Sequence, residues 1–238
     1  MGKTRLDQLL VDRNLVETRS KGREYIQSGL VAVDGIKRTK PGWQVDSLVE
    51  VEVAESEPYV SRAGSKLEAA NEKFKLDFKG KTVLDVGSST GGFSDYALRG
   101  GAKQVIAVDV GTKQMHERLR RDPRLNIYEQ TDIRDFKSSY KADIALIDVS
   151  FISLRKVLIP VSGIVGKEGF IIALCKPQFE AGADAKHRGV IKNDKIRRAI
   201  FKDFEKWLGD NNLHQVDKFD STVHGSKGNQ ERFYLIRV

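Results

Sequence analysis

Apolar positions along the chain follow two different rhythms. Near the start, Leu6, Leu9 and Leu10 stand at helical spacing within Arg5–Val11. A second short helix is predicted over Arg19–Gln27, with Thr18 as its N-cap. Leu30–Val33 followed by Asp34-Gly35 predicts a strand and a tight turn, and Pro41-Gly42 makes another turn. Val45 through Val53 alternates apolar and acidic positions and predicts one half-buried strand. From residue 81 the rhythm changes to short apolar runs separated by helix-like segments. Strands are predicted at Thr82–Val86, Gln104–Val108, Leu125–Tyr128, Ile144–Val149, Phe170–Leu174, Gln215–Ser221 and Phe233–Val238. Helices are predicted ahead of the first of these strands, after it through Arg99, over Thr112–Arg120, and around Asp194–Leu208. Repeated strand–helix units predict an α/β fold, a doubly wound and mostly parallel Rossmann-like sheet with ligands at the carboxyl ends of its strands. The helix pair and small sheet before it make a small α+β unit with a marginal core.

Composition narrows the class. The chain has 238 residues, 39% hydrophobic and 31% charged, enough for one or two globular domains. Its formal net charge of +8 favours an anionic partner and says nothing about fold. The charge is uneven: residues 1–40 carry +4, residues 41–58 carry −5, and the remainder carries the balance. The acidic stretch ending Glu55-Ser56-Glu57-Pro58 reads as the rim of a first domain. Domains are therefore expected at 1–58 and 63–238, joined by a linker at 59–62. One cysteine, Cys175, excludes a disulfide framework and a cysteine-rich zinc site. The four histidines show no metal-ligand spacing, so no metal is expected. Apolar runs fall short of the ~18 residues of a membrane helix, and the first five residues already carry charge. The expectation is a cytoplasmic protein with no membrane partner.

Candidate chemistry begins where the first large-domain strand runs into D-V-G-S-S-T-G-G-F, Asp85 to Phe93. Gly87, Gly91 and Gly92 permit a tight turn beneath a ligand, with Ser88, Ser89 and Phe93 beside them and helix N–H groups following. Asp109, with Val110 next, ends the second strand, where a carboxylate can accept hydrogen bonds from a ribose diol. Asp132, followed by Ile133, comes after the third strand and is placed to meet an adenine amino group. This pattern allows either NAD or S-adenosylmethionine. The spacing G-x-x-x-G-G does not meet the dehydrogenase fingerprint G-x-G-x-x-G, which moves the expected cofactor toward S-adenosylmethionine.

Four charged residues need a reason beyond solubility: Asp148 and Lys176 at the ends of two apolar strands, Glu231 at the start of the last, and Lys66 on the helix before the first. Basic residues gather in two further places. Arg5, Arg19, Lys21 and Arg23 cluster on the small helices, and Lys186, Arg188, Arg197 and Arg198 follow the Lys176 strand.

The stretch R-L-D-Q-L-L-V-D-R-N-L-V-E-T-R-S-K-G-R-E-Y-I-Q-S-G-L-V-A-V-D-G, residues 5–35, resembles the S-four RNA-binding domain. With Y-V-S-R-A-G-S-K-L, D-V-G-S-S-T-G-G-F, L-I-D-V-S-F-I-S-L and C-K-P-Q-F-E, the whole chain resembles the hemolysin-A-like (TlyA) family of ribosomal RNA 2′-O-methyltransferases, within the FtsJ-type enzymes. The resemblance implies a Lys–Asp–Lys–Glu tetrad on Lys66, Asp148, Lys176 and Glu231, and a helix-pair surface that grips RNA phosphates. It also implies S-adenosylmethionine as cofactor, ribosomal RNA or ribosomal subunits as partner, and a cytidine 2′-hydroxyl as target. Thr90 and Phe93 stand where the FtsJ branch commonly has proline and tryptophan.

The residue types suit that chemistry. Methylating a ribose hydroxyl requires alignment of the reacting atoms and removal of a poorly acidic proton. A free lysine, pKa ~10.4, is protonated at neutral pH, and nearby cations and desolvation lower that value. Lys176 is the expected proton acceptor or hydroxyl-positioning group, with Asp148 steering it and Lys66 and Glu231 completing the network. Cys175 is expected to be a buried structural cysteine, facing away from Lys176. The alternative is a non-catalytic RNA-binding or ribosome-assembly module. A membrane-lytic protein lacks support from any long apolar segment.

Overall fold

Lys3–Arg5 forms a short strand, β1, that runs directly into α1 (Leu6–Asp12). The first two amides of α1, on Leu6 and Asp7, donate to the carbonyls of Trp43 and Pro41 at 2.8 and 3.0 Å. Loop backbone thus satisfies N–H groups that a capping side chain would otherwise take. Thr18 begins α2 (Arg19–Gln27), its Oγ1 accepting from the Lys21 amide at 3.2 Å. β2 (Val31–Val33) and β3 (Ile36–Lys37) make a hairpin on Asp34 and Gly35, both at positive φ as a type I′ turn requires. β4 (Gln44–Asp46) pairs antiparallel with β1, and β5 (Val51–Val53) pairs antiparallel with β2. The single strand predicted across 45–53 is therefore two strands in different sheets. Asp46 Oδ1 accepts the Leu48 amide at 2.9 Å, and this side-chain turn breaks the run. Leu6, Leu9, Leu10, Val16, Ile26, Val31, Val33 and Val45 form the core of this part.

The computed structural model describes residues 2–27, 29–53, 59–181, 189–222 and 228–238. Its chain divides into two units, Met1–Arg62 and Ala63–Val238.

The large unit takes all of α3 (Arg62–Phe74) but its first residue and then alternates: β6 (Thr82–Val86), α4 (Gly92–Arg99), β7 (Gln104–Val108), α5 (Glu117–Arg120) and β8 (Leu125–Tyr128). β9 (Ala142–Ile147), α6 (Arg155–Ile164), β10 (Val165–Cys175), α7 (Pro177–Glu180), α8 (Asp194–Asp210), β11 (His214–Asp220) and β12 (Arg232–Arg237) complete it. The seven strands are ordered β11-β12-β10-β9-β6-β7-β8. All neighbours from β10 to β8 are parallel, and β12 joins β10 and β11 antiparallel. The expected mostly parallel α/β sheet is the observed one. Along β6, Leu84 and Val86 belong to a core cluster shared with α6 and α8. Asp85 points to the other face, where Ser94 of α4 meets it. Helices therefore cover both faces, as buried parallel strands require.

Two helical expectations change. The helix predicted at Thr112–Arg120 shrinks to Glu117–Arg120, because Lys113 takes a positive φ and Met115 buries against the glycine loop. No helix is expected between the fourth and fifth large-unit strands, yet α6 forms there around Pro160. Val157, Leu158, Val161 and Ile164 recur at helical spacing and bury together, which outweighs the N–H that proline lacks.

Candidate active site at the carboxyl edge of the sheet

Strand order reverses between β6 and β9, because β6 is followed by β7 on one side while β9 lies on the other and leads to β10. A crevice opens at the carboxyl ends of strands at such a switch point. A cavity of about 380 Å³ lies here, lined by Gly87, Ser89, Asp109, Val110, Asp132, Ile133 and Asp148 among the expected residues. Its size falls in the ~300–1,000 Å³ range of small-molecule sites. Gln114, Thr131, Val149, Ser150, Phe151 and Ile152 line it as well. Sequence reasoning missed these, although the run D-V-S-F-I directly after the β9 strand was the signal that could have found four of them.

The glycine loop shapes one wall. Gly87 has φ +78°, and a Cβ there would come 2.7 Å from the Asp148 carbonyl oxygen. Gly91 has φ +91°, and a Cβ there would come 2.5 Å from both Met115 Sδ and Leu119 Cδ1. Both positions need glycine for backbone conformation and for space. Asp109 accepts the Ser89 amide at 2.8 Å and the Gly111 amide at 2.6 Å, one on each oxygen. Its orientation is thereby fixed, while a carboxylate retains lone pairs for two further hydroxyls. Asp132 also faces the cavity, but Arg134 holds both its oxygens and keeps its carboxyl below the usual range. The Arg134 amide donates to it as well, so this aspartate also closes a local turn.

Asp85, Ser88, Gly91, Gly92 and Phe93 do not line the cavity. Asp85 is buried in β6, accepts Ser94 Oγ at 2.6 Å through one oxygen, and has its carboxyl pushed up to about 7, chiefly by burial. Gly91 and Gly92 shape the start of α4, and Phe93 buries against Phe233 with ring centroids 6.2 Å apart.

The four charged residues form two ion pairs. Lys176 Nζ lies 2.6 Å from Asp148 Oδ1, and Lys66 Nζ lies 2.7 Å from Glu231 Oε2. Lys176 also donates to Ser150 Oγ at 2.9 Å. Asp148 directly follows β9, Lys176 directly follows β10, and Glu231 directly precedes β12. Because Cys175 pairs with Arg232 across the antiparallel ladder, continuing the count by one sets Lys176 beside Glu231. All four side chains are nearly enclosed, between 3% and 19% exposed, so the charges stay paired with little help from water. Below Lys176, Glu180 of α7 accepts Ser153 Oγ and the Leu154 amide, both at 2.6 Å, and so braces the loop that carries Ser150. Cys175 is fully buried among α6 and α8, where burial holds its thiol well above the ordinary range.

The expected RNA contacts divide. Arg5, Arg19 and Arg23 all reach one carboxylate, that of Asp7. Lys21 pairs with Glu24 at 3.1 Å and lies over the Tyr25 ring. Arg197 pairs with Asp194 on α8, and Arg198 is exposed. Lys186 and Arg188 lie outside the described residues. Among the described residues, no helix is long and apolar enough to cross a membrane.

The FtsJ-like methyltransferase family matches residues 59–237, and the S4 domain matches residues 4–51. The 16S/23S rRNA (cytidine-2′-O)-methyltransferase TlyA of Mycobacterium tuberculosis is 35% identical over 242 residues, covering 99% of this chain and 90% of that protein. The 23S rRNA (cytidine-2′-O)-methyltransferase TlyA of Campylobacter jejuni is 37% identical over 230 residues, covering 93% of this chain and 82% of that protein. A solved structure from Streptococcus thermophilus, described as a hemolysin, matches with a TM-score of 0.76 at 35% identity, covering 100% of this chain and 90% of that one. Seven mixed strands with their switch-point cavity, an N-terminal RNA-binding fold and these likenesses agree, and the chain belongs to the FtsJ-like methyltransferase family, whose cofactor is S-adenosylmethionine.

Proposed function

We propose that this protein methylates the ribose 2′-hydroxyl of a cytidine in ribosomal RNA. The observation that carries the reading is the pairing of Lys176 with Asp148 on the rim of the cavity, with Lys66 and Glu231 paired at the same edge. The cavity suits an adenosyl group: Gly87 leaves its floor without a side chain, and Asp109 presents a fixed carboxylate to a ribose diol. Asp109, Val110, Asp132 and Ile133 would hold the nucleoside, and Gly87, Ser89 and Asp148 the amino-acid end. S-adenosylmethionine supplies a methyl group on a sulfonium, an electrophile that calls for a nucleophile relieved of its proton.

The chain's own residues supply that relief. Lys176 Nζ, carried between Asp148 Oδ1 and Ser150 Oγ, is the amine placed against the attacking hydroxyl, either to orient it or, once it has released its own proton to solvent, to take the hydroxyl's. Asp148 fixes the direction of that amine. Lys66, held by Glu231, adds a second cation at the edge, which stabilises negative charge developing on the hydroxyl oxygen. Residues 1–58 serve as the RNA grip and residues 63–238 as the methyltransferase, with 59–62 between them. Arg197 and Arg198 of α8 belong to a second RNA surface.

Mapping 2′-O-methyl cytidines by mass spectrometry of ribosomal RNA, with and without the protein, tests the target and decides between one subunit and both. Lys176→Ala is expected to keep its affinity for S-adenosylmethionine within a few-fold while losing ~10²–10⁴-fold in methyl transfer. Full activity in that variant removes Lys176 from the mechanism. Cofactor binding without any methyl transfer by the natural protein leaves a non-catalytic RNA-binding module.

A further inference from the structure

Asp7 sits in the first turn of α1, has no exposed side-chain surface, and collects three guanidiniums. Arg5 donates through Nε to one oxygen and through Nη2 to the other, both at 2.9 Å. Arg19 and Arg23, one turn apart on α2, each donate through Nε alone, at 3.2 and 3.1 Å. Among the described residues, none of the three arginines makes another side-chain hydrogen bond. Their side chains remain 38%, 45% and 54% exposed, so the cluster opens to solvent above a buried carboxylate.

A carboxylate has room for about four donors, and here all four come from arginines. The result is three positive charges around one negative charge, a net excess that a purely stabilising ion pair does not need. A guanidinium held by its Nε edge must direct its remaining N–H groups elsewhere, because the fork is planar and rigid. Arg5 is constrained on another side as well. A Cβ on Gly42 would lie 2.9 Å from its Nη1, so the guanidinium rests against that glycine's backbone.

We propose that Asp7 is a positioning residue for RNA binding, gathering Arg5, Arg19 and Arg23 into one preformed receptor for neighbouring phosphates of a folded RNA. This rests on the RNA-gripping role proposed for residues 1–58. Phosphate oxygens take the outward N–H groups in pairs, which a planar fork does well and a mobile one does poorly. Burial of Asp7 against the core of the small unit makes the arrangement rigid before RNA arrives.

Asp7→Asn gives a test with opposed signs. The substitution raises the cluster's net charge by one, so arginines acting as diffuse positive charge would bind RNA more tightly. A positioning role predicts the reverse, since an amide offers one acceptor and turns an NH₂ toward guanidiniums. The full-length variant should bind a ribosomal RNA fragment ~5–10-fold more weakly, with the slope of log Kd against log salt shallower by about one contact. Its affinity for S-adenosylmethionine by calorimetry should not change. Gly42→Ala is the second variant. It alters no charge, the three atoms nearest the new carbon all belong to the Arg5 guanidinium, and it should weaken RNA binding ~2–5-fold. Equal or tighter RNA binding by a folded Asp7→Asn protein overturns the proposal. If that variant does not fold, unchanged binding by Gly42→Ala overturns it instead. Arg5→Ala, Arg19→Ala and Arg23→Ala distinguish the underlying reading: if none of them weakens binding, the RNA grip itself is misplaced.

Discussion

Asp85 shows what one residue can hide from a sequence reading. Its place at the head of the glycine motif makes it an expected cofactor contact, and the structure sets it beneath the loop, with one oxygen on Ser94 of α4. Strand alternation decides this, since Leu84 and Val86 face the other core and Asp85 must face α4. Burial, with Asp148 and Asp109 nearby, pushes its carboxyl up to about 7. The folded protein therefore keeps a proton that the unfolded chain releases near pH 4. Between those two values the folded state binds more protons, so stability falls as pH rises from about 4 to about 7 and levels off above that. Urea unfolding at a series of pH values should show this decline, amounting to at most roughly 4 kcal/mol. Asp85→Asn should flatten it selectively, and an unchanged profile in that variant would show that the carboxyl is ionised throughout. The gathering of charge at the strand ends was legible for a simpler reason. Charged residues at the ends of otherwise apolar strands have few places to go, and Asp148, Lys176 and Glu231 each end up directly beside a strand terminus.

At the scale of elements, strands were readable to the residue at Thr82–Val86, Gln104–Val108 and Leu125–Tyr128, because four- or five-residue runs rich in β-branched and aromatic residues are too short for a helix. Segments that pack on the active-site loop were not. Residues 112–116 have helical composition, but they brace the glycine loop: Gln114 accepts from Ser89 Oγ and Met115 fills the space over Gly91. Tertiary contact outweighed local propensity there. Two glycine substitutions separate the cases. Gly91→Ala places a methyl group 2.5 Å from Met115 at a φ of +91°, and should cost roughly 2–4 kcal/mol and weaken S-adenosylmethionine binding. Gly163→Ala lies in α6 with nothing within 4 Å of the new carbon, and should stabilise by ~0.5–1 kcal/mol without touching cofactor affinity. Thermal denaturation with calorimetric titration reads both. Equal effects at the two positions would mean that the loop adapts and Met115 moves aside.

For the whole molecule, the two units own separate cores and separate chemistry. Among the described residues, eight buried apolar side chains hold the small one, while a larger cluster spans the sheet, α6 and α8 of the other. A unit of about 60 residues buries only ~60% of the surface its unfolded chain exposes and is marginally stable, and the larger one buries more. Every residue lining the cavity belongs to Ala63–Val238. Ligand linkage then has a definite address. S-adenosylmethionine at a hundred times its Kd should add ~2.7 kcal/mol to the unit that binds it and nothing to the other. In a domain of this size each kcal/mol shifts Tm by ~2–4 °C, so one calorimetric transition should move up by roughly 5–10 °C. The transition of the small unit should stay within a degree, and a ribosomal RNA fragment should raise it instead. A single transition that moves as one on adding cofactor would show that the two cores unfold together, with cofactor energy passing into the RNA grip as well.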